Sequence, residues 1–300
     1  MLLVTFWLPR IGPRLGLVRE ERVYDLTAAD PVRCASLPVL FAEALDAGKT
    51  PAQLLADLVP GLLHRAASYR YADLDVAPAM EKAHLMAPPV AEVWAAGVTY
   101  LRSRDARVVE SDVPDIYTRV YEAERPEIFF KASSGRVSGQ NAVLNLRSDS
   151  KWNVPEPELG VMLDGSGRIV GYTVGNDMSS RDIEGVNPLY LPQAKMWKGS
   201  CAVGPAVLIT DTPPSEFIIH MTILRGGKAA FEGEISTRQM KRTFPELVSF
   251  LNRDNELLGP TVLLTGTCLV PDESFTLLEG DVVEIAISGI GTLRNPIHQL

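Results

Sequence analysis

The sequence has little cysteine or histidine, no long apolar run and no block of one charge. Its three cysteines, Cys34, Cys201 and Cys268, are far apart and form no C-x-x-C. An odd, scattered set gives neither a disulfide framework nor a zinc site, and it fits a reducing compartment. The four histidines fall in no H-E-x-x-H or His/Cys pattern, so none is assigned to metal or catalysis. The apolar start, Leu2 to Leu8, is short and stops at Pro9-Arg10. It reads as a first core strand, not as a signal peptide or a spanning helix. No Lys/Arg run occurs and the net charge is -8, which argues against a nucleic-acid surface. No G-x-G-x-x-G follows a strand, and P-loop and G-x-S-x-G motifs are missing, so neither a nucleotide cofactor nor a serine-hydrolase elbow is indicated. The expectation is a cytoplasmic protein with no membrane and no nucleic-acid partner.

What is present is core-forming. Hydrophobic residues make up 46% of the 300, enough for one large domain or a small one plus a larger one. Residues 1–76 read as a small N-terminal α+β unit. It has strands over Leu2–Leu8, Leu15–Glu20 and Arg22–Leu26, a helix over Leu37–Asp46, and a second helix begun by Thr50-Pro51. Residues 77–90, rich in Ala, Met and Pro, read as a linker. From residue 91 to 300, strands dominate: Glu92–Val98, Ile128–Lys131, Glu156–Leu163, Arg168–Asn176, Ala206–Thr210, Phe217–Leu224, Lys228–Glu234, Thr261–Thr265 and Asp281–Ile287. Two helices, Arg102–Val109 and Pro114–Ala123, are expected early, the second capped by Ser111 or Asp112. Met240, Phe244, Leu247, Val248 and Leu251 mark a core-facing helix. The pattern is β-rich α+β rather than alternating βαβ.

The most informative stretch is 155–177. Glu156 and Glu158 lie two apart on a strand, so both carboxylates point the same way. Asp164-Gly165-Ser166-Gly167 suits a hairpin loop, and the returning strand ends at Asp177 beside them. An E-x-E on a strand is most often a solvated face. Here the strands are apolar, and buried charges are paired or metal-bound. Three carboxylates at one point repel unless a cation neutralises them. An all-oxygen set suits Mg2+ before Ca2+ or Mn2+.

Other residues are weaker signals. Lys195, in Gln193-Ala194-Lys195-Met196-Trp197, would by default be a surface lysine. Held near carboxylates, it could bind a substrate carboxylate or exchange protons. Thr265-Gly266-Thr267 ends an apolar strand and could present N–H and hydroxyl groups to an anion. Lys131 closes a strand, and Arg125-Pro126-Glu127 precedes the same one, where a surface ion pair serves as well as a functional one.

Together these pieces resemble the fumarylacetoacetate hydrolase superfamily. The matching stretches are Glu156-Pro157-Glu158-Leu159, Gly171 to Asp177, Ser180-Arg181-Asp182, Lys195, Gly204-Pro205 and Thr265-Gly266-Thr267. The resemblance implies a mixed β-sheet roll, Mg2+ held by Glu156, Glu158 and Asp177, Lys195 as a site lysine, and homodimers or homotetramers. One departure matters. Gly97-Val98-Thr99-Tyr100-Leu101-Arg102-Ser103 puts Ser103 where hydrolytic members carry a histidine that activates water. A serine has no comparable basicity. Arg125 to Ala132, Arg147 to Ser150, and Glu184 with Asn187 to Gln193 are similar to the 2-keto-3-deoxy-D-arabinonate dehydratase branch, which also lacks that histidine. That implies dehydration of a small anionic 2-keto acid in pentose breakdown. Lys195 or Glu127 would be the base, and Arg104, Lys131 and Thr267 would hold substrate. An acyl-pyruvate hydrolase or decarboxylase, and a non-catalytic sugar-acid sensor, are the alternatives.

Overall fold

A computed structural model describes residues 1–300. Its backbone is organised by one large mixed sheet. Along the main path the strands run Ser68–Arg70, Arg22–Asp25, Gly12–Arg19, Leu2–Leu8, Cys201–Ile209, Ile169–Asp177, Pro157–Leu163, Thr261–Leu264, Glu92–Gly97 and Glu127–Ser133. A second sheet joins Lys228–Ser236, Ile218–Arg225, Val282–Ile287, Gly291–Gln299 and Leu144–Leu146. The β-rich α+β expectation is borne out.

The hairpin of Pro157–Leu163 and Ile169–Asp177 is the centre of the large sheet, with every residue of the first strand buried. Period-two alternation explains how such a strand serves two cores. Leu159, Val161 and Leu163 point into one apolar cluster, while Met162 points into the other. Glu158 shares the Met162 face. The loop between the strands is tied by its own aspartate: Asp164 Oδ1 accepts from Ser166 N at 2.9 Å and Arg168 N at 3.1 Å. Such Asx bonding favours a short return, and Asn252 Nδ2 adds a bond to Gly167 O at 2.9 Å.

The first cluster fills the space between the two sheets and takes in Leu247, Val248 and Leu251 of the helix Phe244–Leu251. That helix begins with a capping box between Thr243 and Glu246. The second cluster lies on the other face. It combines Leu40 and Phe41 of the helix Leu37–Asp46 and Leu55 of the helix Pro51–Leu63 with Val203 and Val262 of the central strands.

Leu2–Leu8 pairs directly with Cys201–Ile209, matching Leu3 with Val207 and Val4 with Ala206. The segment expected as a linker includes a strand, His84–Met86, that pairs with Leu2–Leu8. We propose that residues 1–76 act as an extension and cover of the catalytic sheet. The helix Asp115–Glu122 departs from expectation at its start, since Pro114 is its N-cap and no side chain caps it. Ser111 instead accepts from Val113 N at 3.0 Å and donates to Gly185 O at 3.4 Å, tying this region to the helix Arg181–Val186.

Candidate active site

Adjacent strands bring the three carboxylates together. Pro157 pairs with Asn176, and Asp177 N donates to Glu156 O at 3.0 Å, so Asp177 stands beside Glu156. Glu156, Glu158 and Asp177 each offer an oxygen within 4.8 Å of the others, and all three are buried. Their compensation is unequal. Glu156 Oε1 meets Arg107 and Arg181, both at 2.9 Å, and Oε2 meets Lys195 Nζ at 2.5 Å. Burial raises the Glu156 carboxyl, but Lys195, Arg181 and Arg107 outweigh it and hold the group well below the usual carboxylate range. Glu158 receives one donor, Gly266 N at 2.6 Å. Burial, Asp177 and Glu156 push its carboxyl well above the usual range. A buried carboxylate facing two others with one N–H for support is the arrangement a bound cation would relieve, and the all-oxygen donors suit a hard divalent ion.

Lys195 sits at the C-terminal end of the short helix Leu191–Lys195 and reaches Glu156 and, at 3.1 Å, Asp177 Oδ2. Burial lowers its ammonium, but Asp177 and Glu156 more than offset this and hold it above the usual lysine range. It is therefore a fixed cation in this arrangement. Lys131 lies on the strand Glu127–Ser133, with its side chain fully buried. It contacts Asp177 Oδ1 at 2.5 Å, and it donates to Met178 O at 2.9 Å and to the Lys195 carbonyl. Its ammonium is thus occupied by Asp177 and two backbone carbonyls and takes no part in the cavity lining.

A small cavity of about 20 Å³ opens in front of the triad. Glu127, Lys195 and Thr267 line it with the carboxylates, as expected of them, while Lys131 does not. Arg104 does not join them either. It bonds Asp105 at 2.9 Å and lies over the Tyr121 ring at 5.3 Å. Glu127 begins its strand opposite Gly97. Gly97 leaves room for the Glu127 carboxyl, since a Cβ there would stand 2.0 Å from Glu127 Oε2 and oblige that side chain to move. Burial and Glu184 push the Glu127 carboxyl up to about 7, against the pull of Arg107 and Lys195.

Sequence reasoning missed three charged residues as site members. Arg107, on the helix Leu101–Glu110, bridges Glu156 and, at 3.1 Å, Glu184. Arg181 bridges Glu156 and Glu110, and Ser179 Oγ donates to Glu184 Oε2 at 3.2 Å. The signal available was the Ser180-Arg181-Asp182 stretch and Glu184. Arg107 had none, because it sits in a helix whose apolar Leu101 and Val109 are exposed and mark no core-facing stripe.

This hairpin site and sheet define the class: the chain belongs to the fumarylacetoacetate hydrolase family, whose C-terminal domain matches residues 93–298. Particular relatives are more informative. The chain is 44% identical over 288 residues, 95% of each protein, to the probable 2-keto-3-deoxyxylonate dehydratase of Haloferax volcanii. It is 41% identical over 256 residues, 82% of this chain and 83% of the relative, to the 2-dehydro-3-deoxy-D-arabinonate dehydratase of Saccharolobus solfataricus. A solved structure of 2-keto-3-deoxy-D-arabinonate dehydratase complexed with magnesium and 2,5-dioxopentanoate superposes with a TM-score of 0.78. That match covers 100% of this chain and 99% of the other, at 32% identity.

Proposed function

We propose that this chain is a Mg2+-dependent hydro-lyase that converts 2-keto-3-deoxy-D-arabinonate to 2,5-dioxopentanoate, with Ca2+ or Mn2+ as possible substitutes. The observation that carries the reading is the buried Glu156, Glu158 and Asp177 set facing Glu127, in a chain so similar to sugar-acid dehydratases. A bound Mg2+ would supply Lewis acidity to the carboxylate and keto oxygens of the substrate. Lys195 and Lys131 keep Glu156 and Asp177 oriented, and Gly266 N holds Glu158. Glu127 is the better candidate base, because its carboxyl titrates near neutrality whereas Lys195 is held protonated. Its carboxylate takes the C3 proton and returns a proton to the C4 hydroxyl, which leaves as water. Tautomerisation through C5 then gives the aldehyde. Thr267, which lines the cavity, would bond substrate oxygens through its hydroxyl.

Incubating the protein with Mg2+ and 2-keto-3-deoxypentonate should yield 2,5-dioxopentanoate, trapped as its carbonyl derivative. Cleavage of acyl-pyruvates without dehydration, or binding without turnover, would overturn the proposal. No helix is long and apolar enough to cross a membrane. The three unpaired cysteines support a cytoplasmic setting. The chain assembles as a homodimer or homotetramer in this reading, which light scattering would measure.

A further inference from the structure

The cavity in front of the triad, at about 20 Å³, has room for roughly one water. A five-carbon acid bound there must extend outward. Beyond it lies a cleft of about 760 Å³ between the helix Leu101–Glu110 and residues 268–274. Ser103 is the one residue that lines both spaces. It lies in the first turn of the helix, four residues before Arg107, so the two share a face toward the inner cavity. Ser103 is half-buried, whereas most other polar groups at the inner wall, Glu127 apart, are engaged. Arg107 binds Glu156 and Glu184, Gly266 N binds Glu158, and Thr267 Oγ1 accepts from Leu269 N at 3.2 Å.

We propose that Ser103 is a specificity-determining residue whose Oγ bonds the C5 hydroxyl of the sugar acid. This rests on the dehydratase reading. With the carboxylate and keto end at Glu156, Glu158 and Asp177, the chain can lengthen only toward the threshold. C5 is the far end of the substrate and therefore reaches Ser103 while C4 remains beside Glu127. A site built to bond a hydroxyl discriminates against the analogue that lacks it. The serine that cannot act as a base thus has a positive task, recognition of a hydroxylated tail.

The test is calorimetric binding of two unreactive acids to the full-length, Mg2+-loaded protein: 5-hydroxy-2-oxopentanoate and 2-oxopentanoate. Neither has a C4 hydroxyl to lose, so the measurement reports on Ser103 even if the chain proves not to be a dehydratase. The wild type should prefer the hydroxylated acid by about tenfold, the size of one net hydrogen bond. Ser103→Ala should reduce the preference to under twofold and leave 2-oxopentanoate binding unchanged. Ser103→Thr, which keeps the hydroxyl, should retain most of it. No preference in the wild type, a preference that survives in Ser103→Ala, or an equal loss for both acids would overturn the assignment. Thermal unfolding of each variant verifies that the fold is intact.

Discussion

The backbone N–H of Gly266 lies 2.6 Å from Glu158 Oε2, joining residues 108 apart in sequence at the least compensated carboxylate of the site. Glu158→Gln replaces a charge that repels Asp177 and Glu156 with a neutral amide. The metal-free variant should be more stable than metal-free wild type, with a higher midpoint of thermal unfolding. It should also lose the stabilisation that Mg2+ gives the wild type, about 2.7 kcal/mol at a hundredfold excess over Kd. Calorimetric melts with and without Mg2+ make the comparison. An unchanged response to Mg2+ would remove Glu158 from the ligand set.

Gly266 has φ +91°, and a Cβ there would stand 2.1 Å from Thr99 Oγ1 and 2.9 Å from Ala96 O. Gly266→Ala should therefore shift the strand end and withdraw the N–H from Glu158. The expected result is a loss of about 1–3 kcal/mol in urea unfolding, from backbone strain, with weaker Mg2+ binding. Gly226→Ala, also at positive φ but with open space around it, should cost stability without affecting Mg2+.

Glu127 offers a pH dependence with a defined sign. Its carboxyl is held above the ordinary value, at about 7, so the fold favours the protonated form. Its contribution to stability is largest in acid and is withdrawn as pH rises through about 7. As the base it must be ionised, so kcat/KM should rise with pH and reach half its maximum near 7. Glu127→Gln should lose that limb and about 10²–10⁴-fold in kcat. It should also be more stable than wild type above pH 7, with the gap narrowing toward pH 5. A rate that falls through pH 7 would make Glu127 an acid instead.

Two lysine–aspartate pairs of this chain have the same chemistry and opposite surroundings. Lys131 meets Asp177 with side chains 0% and 1% exposed, whereas Lys49 meets Asp57 at 44% and 58%. Lys131→Met leaves the buried Asp177 with Lys195 as its one remaining cation and should cost about 3 kcal/mol, the lower end for breaking a buried pair. Lys49→Met should cost no more than about 1 kcal/mol. Paired urea titrations decide. Similar losses would mean that Lys131 is not what compensates Asp177.

The hairpin and its carboxylates were legible because their information is local. Alternation placed Glu156 and Glu158 on one face, and the Asp164 loop predicted the return. The Arg107 and Arg181 contacts were not legible, because a buried arginine and a solvated one look alike until distant elements meet. Lys131 and Arg104 illustrate the same limit, one occupied by Asp177 and backbone carbonyls and the other by Asp105. The strand Gly291–Gln299 was missed because Gly291, Asn295 and Pro296 break its apolar pattern, although it pairs along the whole of Val282–Ile287. The strand His84–Met86, three residues among prolines and alanines, gives too short a period to detect.

The pairing of Leu2–Leu8 with Cys201–Ile209 has a practical consequence for handling the protein. Cys201–Ile209 is also the neighbour of Ile169–Asp177, the strand that delivers Asp177. Expressing residues 91–300 alone would strip one side of Cys201–Ile209 and leave a row of unsatisfied amides and carbonyls next to the hairpin that carries the carboxylates. Bare edges of this kind recruit other chains. A trimmed version should therefore precipitate or self-associate instead of behaving as a minimal enzyme, and supplying residues 1–90 as a separate peptide should restore its solubility.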